Sequence, residues 1–331
     1  MSLRWLVGLL AMAAAPLAFA AELALLNVSY DVARDFYKDY NPLFQKFWKA
    51  KTGETIAIKQ SHAGSTKQVR AVADGLEADV VTMNQATDVD FLAEKGMVAK
   101  DWAKKFPGNA SPYTSTMVLI VRKGNPKAIK DWSDLAKPGM QVILPHPKNT
   151  GNGRYSYLAA WGYALKQPGG NDKTAQEFVG KILKNAPLFA AGGRDATTTF
   201  MQRKIGDVLA TFECEAELIA REFGRGEFEV VYPTLSVLTE FPVAIVDPVV
   251  DRKGTRKQAT AYLEYLWSRE GQENAAQNYL RPRDAEVLKK HAGQFPSIKT
   301  FTVEEVFGGW SKAFPAHFKD GGSFDRIYAA K

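Results

Sequence analysis

Leu25-Leu26-Asn27-Val28-Ser29-Tyr30-Asp31, running directly into Val32 to Trp48, is the stretch that decides the fold. Leu23 to Val28 has the length and apolar character of a buried strand. Val32, Phe36, Tyr40, Phe44, Phe47 and Trp48 then recur near helical spacing, so the spacing predicts an aromatic-rich helix. Between them lies a short polar turn, Ser29-Tyr30-Asp31. A strand, a short polar loop and a helix start form one unit of an α/β layer.

The unit recurs along the chain. Strands are expected at Ile56 to Gln60, Asp79 to Met83, Met117 to Val121, Gln141 to Leu144, Asp207 to Phe212 and Val243 to Val246. Helices are expected at Val69 to Leu76, Val89 to Lys95, Tyr155 to Leu165, Ala175 to Leu183, Gln258 to Trp267 and Gly271 to Tyr279. Such alternation argues for an α/β fold with mostly parallel sheets. Phe241 to Val246 reads as a strand crossing back to a first lobe, which places a ligand cleft between two lobes.

Outside the folded part, Arg4 gives a positive n-region, Trp5 to Ala15 an uncharged apolar run, and Ala18-Phe19-Ala20 a small-x-small cleavage site. Residues 1–20 are therefore expected to be a signal peptide cut after Ala20, with a periplasmic mature chain. No later stretch offers about 20 uncharged apolar residues. A lone Cys214 cannot form an internal disulfide. The net charge of +7 favours anionic ligands. Its basic residues are scattered without a run or an Arg-rich helix, so no nucleic-acid partner is expected.

Chemistry concentrates in loops at helix starts. Besides Asn27 to Asp31 these are Ser61 to Gln68, Lys148 to Arg154 and Gly192 to Thr199, all rich in Ser, Thr, Gly or Asn. Ser65 and Gln68 have the spacing of a capping box. First-turn backbone N–H groups lack an intrahelical acceptor and sit at the positive end of the helix dipole. Several such ends facing one cleft make an anion site. Each loop alone is equally an ordinary cap or turn. Arg154 and Arg194 lie in two of these loops and either pair with the anion or hold the loops in place. His62 is either a base or a structural hydrogen-bond partner, and Glu213 and Glu215 are either solvated or structural. No G-x-S-x-G, H-E-x-x-H, G-x-x-x-x-G-K-[ST] or EF-hand pattern occurs, and the four histidines show no metal spacing. No enzymatic activity, cofactor or metal is expected.

At these loops the chain resembles the periplasmic sulfate- and thiosulfate-binding proteins of ABC import systems. The marks are Leu25 to Asp31, Gln60-Ser61-His62-Ala63-Gly64-Ser65, Ala78-Asp79-Val80-Val81-Thr82, Val121 to Lys127, Tyr157-Leu158-Ala159-Ala160-Trp161-Gly162, Gly206 to Leu209 and Tyr279-Leu280-Arg281-Pro282-Arg283. The resemblance implies a type II binding protein of two lobes, each a mostly parallel sheet flanked by helices. Lobe 1 would comprise 21–115 and 246–331, and lobe 2 would comprise 116–245. It further implies a monomer that captures a sulfate or thiosulfate anion and delivers it to an inner-membrane ABC permease complex. Backbone donors would come from Asp31, Ser65, Gly151, Asn152 and Gly193, and a hydroxyl donor from Thr150, where many members have Ser. Tyr30, His62, Arg154 and Arg194 would support the site. Sulfate-specific members carry a Trp where this chain has Phe212, and Phe has no N–H to donate. That departure, with Phe212-Glu213-Cys214-Glu215, points to the thiosulfate branch. Other tetrahedral oxyanions such as molybdate, and a secreted ester hydrolase, are the competing readings.

Overall fold

The first strand, β1 (Ala24–Tyr30), carries Leu25 and Val28 into the interior with no exposed surface. The computed structural model describes residues 23–224 and 226–329; the expected signal segment and the expected cut after Ala20 lie outside them. β1 pairs in parallel with β2 (Ala57–Ala63) and with β3 (Val80–Thr82). A fourth strand, Val243–Ile245, runs antiparallel to β3. Helix Arg34–Thr52 follows β1 after one 3-10 turn and ends on Gly53, whose φ of 77° is the left-handed cap that glycine adopts without strain.

The aromatic face of that helix builds the main core of the first lobe. The ring of Phe44 lies 5.1 Å from Tyr262 and 6.0 Å from Trp48, and Phe47 stacks on Tyr265 at 4.6 Å. The buried hydroxyls are satisfied: Tyr262 donates to Asn41 Oδ1 at 2.8 Å and Tyr40 to the Tyr262 carbonyl. A tyrosine buried with its hydroxyl paired packs like phenylalanine without the desolvation penalty.

The second sheet is organised on β4 (Tyr113–Arg122), nine of whose ten residues are buried. Around it lie β5 (Val142–Pro145), β6 (Phe189–Ala190), β7 (Val208–Phe212), β8 (Phe228–Val231) and β9 (Ser236–Glu240). The strand Val243–Ile245 is β10, and β11 (Arg281–Pro282) and β12 (Thr300–Phe301) complete the set. The first sheet is mostly parallel, in the order β10-β3-β1-β2. The second is mixed: β5 is parallel to β6 and β7, but β4 runs antiparallel to β7, β8, β9 and β11. The strands that return along β4 are free to pair antiparallel, and only a parallel pair needs a long crossover.

Only Phe241 and Pro242 separate β9 of the second sheet from β10 of the first, so this is the crossing expected near Phe241. The C-terminal residues are shared out differently from the expected grouping of 246–331 with the first lobe. β12 joins β9 of the second sheet. The ring of Phe301 lies so close to Gly162 that a methyl there would overlap it. His317 packs edge-on to Trp161 at 4.5 Å.

The strand-loop-helix units place helix starts at one edge of each sheet. The helix after β2 spans Ser65–Ala73 with Gly64 as its N-cap. Ser65 is thus the first helical residue, and the capping box expected from Ser65 and Gln68 does not form. Gln68 instead pairs with the Ser61 hydroxyl on β2, at 3.0 Å, where a nearer partner is available. Among the described residues no helix is long and apolar enough to cross a membrane.

Replacing the fully buried Phe44 with alanine is expected to destabilise the protein by ~3–5 kcal/mol. Urea unfolding measures it; a loss below 1 kcal/mol would mean that the aromatic cluster does not hold the lobe together.

Candidate functional site

The helix Gly151–Leu165 follows β5 and opens with Thr150 as its N-cap. Gly153 N–H donates to Thr150 Oγ1 at 3.0 Å, and Arg154 N–H to the Thr150 carbonyl at 3.1 Å. Helix geometry then leaves the amides of Gly151 and Asn152 without an intrahelical acceptor. The Thr150 hydroxyl proton goes to the His146 carbonyl at 3.1 Å, so the hydroxyl expected to serve a ligand is engaged in capping its own helix. Helix Gly193–Thr197 opens in the same way on Gly192, and its first amide, Gly193 N–H, is likewise outside the helical ladder. On the other lobe the Ser65 helix contributes a third end of this kind.

These ends converge across the gap between the sheets. A methyl on Gly192 would lie 2.8 Å from Asp31 Oδ2, and one on Gly193 would lie 3.1 Å from Val32 Cγ2. Arg194 N–H points to Asp31 Oδ2 at 3.4 Å, and Val32 N–H to Asp31 Oδ1 at 3.0 Å. Gly64 approaches the Ala191 carbonyl at 3.7 Å by the same measure. At Gly192 and Gly193 the facing side chains come too close for a Cβ, whereas the contact at Gly64 is an ordinary one. Asp31, Ser65, Gly151, Asn152 and Gly193 are thereby brought to the facing edges of the two sheets. Phe212 ends β7 beside them with no exposed surface, its ring 5.4 Å from Phe241 and 6.0 Å from Tyr155. Tyr30 stacks on the same Phe241 at 5.7 Å.

The charged residues of the loops have partners of their own. Buried Arg154 donates to the Lys148 carbonyl at 2.7 Å and to Thr87 at 3.2 Å, lies 3.7 Å from Asp88 on the facing lobe, and covers the ring of Phe314. Arg194 turns outward to Glu222 at 2.7 Å and Asp35 at 3.5 Å. Both guanidinium groups therefore hold loops and bridge elements. His62 bonds the Tyr30 carbonyl at 3.1 Å and the Gln60 side chain, and burial lowers its pKa, so it sits as a neutral hydrogen-bond partner. The Cys214 thiol is buried and its pKa is pushed up by that burial, which leaves it unreactive. Among the described residues no cluster of His, Cys, Asp and Glu is fit to hold a metal ion.

One feature was left open by the sequence and a second escaped it. Glu213 and Glu215 are both buried. Glu213 forms a two-pronged ion pair with Arg281 at 2.7 and 2.8 Å. Glu215 has no such cation: Oε1 accepts from Asn152 Nδ2 at 3.0 Å and Oε2 from the Thr211 hydroxyl. Its Cδ would stand 3.1 Å from a methyl on Gly193, so this carboxyl braces both helix starts of the second lobe. Burial pushes its pKa up to about 7, with the negative field of Asp31 adding to the rise and Thr211, Asn152 and Arg194 opposing it. The second feature is Asn84-Gln85, one residue beyond β3, both buried and each with an unpartnered side-chain oxygen. An amide pair behind a buried Val-Val-Thr strand was the available signal, but without Gly or Ser it resembled no other loop.

Comparison with known proteins agrees with this architecture. Residues 29–281 match the family model described as bacterial extracellular solute-binding protein, and the chain belongs to that family. It is 63% identical to the thiosulfate-binding protein of Pseudomonas aeruginosa over 306 residues, 92% of each chain. It is 52% identical to the sulfate-binding protein of Escherichia coli over 324 residues, 98% of each. Among solved structures, the sulfate-binding protein SubI from Mycobacterium tuberculosis superposes with a TM-score of 0.80 at 31% identity, covering 90% of this chain and all of that one.

Glu215 gives the site a pH signature. A folded-state pKa of about 7 against an ordinary 4.5 means that the folded chain holds the extra proton between those values. Its stability contribution therefore falls as pH rises through this window and levels off above it. Glu215→Gln keeps the shape and removes the ionisation. It is expected to be more stable than wild type at pH 8 by ~1–3 kcal/mol, with the difference gone near pH 4.5, in urea unfolding of the ligand-free protein. A Gln variant less stable at pH 8 would show that the carboxylate is held favourably.

Proposed function

We propose that this member of the bacterial extracellular solute-binding family is a periplasmic receptor that captures thiosulfate and sulfate and delivers them to an ABC permease, without catalysing a reaction. The observation that carries the reading is the convergence of amide-bearing helix starts from both lobes, at Ser65, Gly151-Asn152 and Gly193, on one cleft. The names of relatives that align over nearly the whole chain supply the identity of the anion. The backbone N–H groups of Asp31, Ser65, Gly151, Asn152 and Gly193 would hold it, Thr150 would cap the helix that presents two of them, Phe212 would wall it, and Tyr30, His62, Arg154 and Arg194 would fix the loops. The protein would act as a monomer, exported by a signal segment of residues 1–20 that is cut after Ala20.

Selectivity follows from which groups still have capacity to bond. Sulfate and thiosulfate are fully deprotonated near neutrality and accept hydrogen bonds all round. Hydrogenphosphate carries a proton that needs an acceptor. The carboxylates nearest the site, Asp31 and Glu215, are turned to donors of the protein itself, Val32, Arg194, Asn152 and Thr211, and not to the anion. A proton left facing donors is costly, and such mismatches discriminate strongly. Phe212 offers no N–H where a Trp would, a loss of ~1.5–3 kcal/mol toward a charged oxygen. A terminal sulfur, larger and a weaker acceptor, suffers less from that loss. Closure is then a shift of population, since only the closed form lets both lobes donate to one anion.

Calorimetric titration of the ligand-stripped mature protein tests this. Both sulfur oxyanions are expected to bind at 1:1 stoichiometry, sulfate no tighter than thiosulfate, and phosphate at least ~100-fold more weakly. Tight phosphate binding, or no binding of either sulfur oxyanion, would remove the assignment.

A further inference from the structure

β1, β2 and β3 run parallel, so their C-terminal ends open on one edge of the first sheet. Asp31 follows β1, Gly64-Ser65 follow β2, and Asn84-Gln85 follow β3. Ser29 lies opposite Thr82, so Asp31 and Asn84, each two residues further on, leave that edge side by side. Asn84 is 4% exposed and its Oδ1 has no hydrogen-bond partner among the described residues. An amide buried in this way costs about 1–3 kcal/mol unless something outside the chain completes it.

Its place identifies what completes it. A methyl on Gly151 would overlap the Asn84 amide, coming within 2.7 Å of Cγ, so this side chain lies flush against the first turn of the facing helix. The free amides of Gly151 and Asn152 open at that turn. Met83 N–H, one residue earlier, donates to the Pro242 carbonyl at 2.8 Å. This ties Asn84 to the crossing segment that carries Phe241 against Phe212.

We propose that Asn84 is a ligand-contacting, specificity-determining residue of the cleft, its amide NH₂ donating to the bound oxyanion from the first lobe where Phe212 supplies no donor. The assignment rests on the reading of the protein as an oxyanion receptor. The unpartnered atom is an acceptor, which a deprotonated dianion cannot complete; half a turn about the Cβ–Cγ bond exchanges Oδ1 for Nδ2, and it is then the NH₂ that faces the anion. The anion then meets an amide on one side and a hydrocarbon ring on the other. Such a two-sided site suits an anion with one terminal atom unlike the rest, which is thiosulfate, over the symmetric sulfate.

The test is titration of wild type, Asn84→Ala and Asn84→Asp with thiosulfate and with sulfate, alongside unfolding of each ligand-free protein. Asn84→Ala is expected to lose ~10–100-fold in thiosulfate affinity, the worth of one hydrogen bond to a charged acceptor, and less for sulfate. Its ligand-free unfolding midpoint is expected to stay at or above wild type, which separates ligand contact from a structural role. Asn84→Asp keeps the shape but, once ionised, has no proton to give. It is expected to bind at least ~100-fold more weakly at pH 7.5 and to recover part of the loss at pH 4.5. Either variant binding thiosulfate within twofold of wild type would overturn the assignment, and if the alanine variant does not fold, the isosteric Asp variant decides. Wild type binding neither anion would instead overturn the receptor reading.

Discussion

The first amides of a helix have no acceptor within it, and this constraint organises the molecule. Each helix that follows a strand carries a few N–H groups that must meet water, a side chain or a ligand. Here the third amide of the Gly151 helix is satisfied by its own cap, Thr150, while the first two are left facing the cleft. Gly151 and Gly193 are glycines because the facing surfaces, Asn84 against one and Glu215 and Val32 against the other, leave no room for a Cβ. The two sheets are the rigid means of holding such ends opposite each other.

The cleft also carries carboxyl groups, Glu215 buried and Asp31 half-buried, which is at first sight odd for an anion site. Their hydrogen-bond patterns resolve the difficulty. Asp31 and Glu215 accept from groups of the protein itself, so they act as struts between loops and leave the donors to the ligand. Burial shifts both toward the neutral form, which reduces their repulsion of a dianion. The guanidinium groups of buried Arg154 and outward-turned Arg194 bond to carbonyls and carboxylates of the protein, so on the proposed reading the charge of a bound anion would be met chiefly by oriented backbone dipoles.

Much of the fold was legible in the sequence because it depends on local pattern. The aromatic spacing from Phe36 to Trp48 fixed the first helix, and the loops at Ser29-Asp31, Gly64-Ser65, Thr150-Asn152 and Gly192-Arg194 marked the helix starts. What remained hidden depends on register and on contacts distant in sequence. Asn84 comes beside Asp31 only through the pairing of β1 with β3, and no motif marks it. Glu215 meets Asn152 across 63 residues, and its burial cannot be told from a solvated helix start by composition. The antiparallel pairings of β4, and the return of β12 to the second sheet, are likewise decided by tertiary packing. Ser65 and Gln68 show the opposite failure: a correct spacing, set aside because Ser61 offered Gln68 a better partner.

The central claim is that amides of both lobes donate to a single anion. It is tested most directly by following the backbone ¹H–¹⁵N resonances of Asp31, Ser65, Gly151, Asn152 and Gly193 as thiosulfate is added to the ligand-free protein. The account requires these amide protons to move downfield together and to saturate at one equivalent, residues of the two sheets alike. Movement confined to one lobe, or saturation at different equivalents, would contradict it.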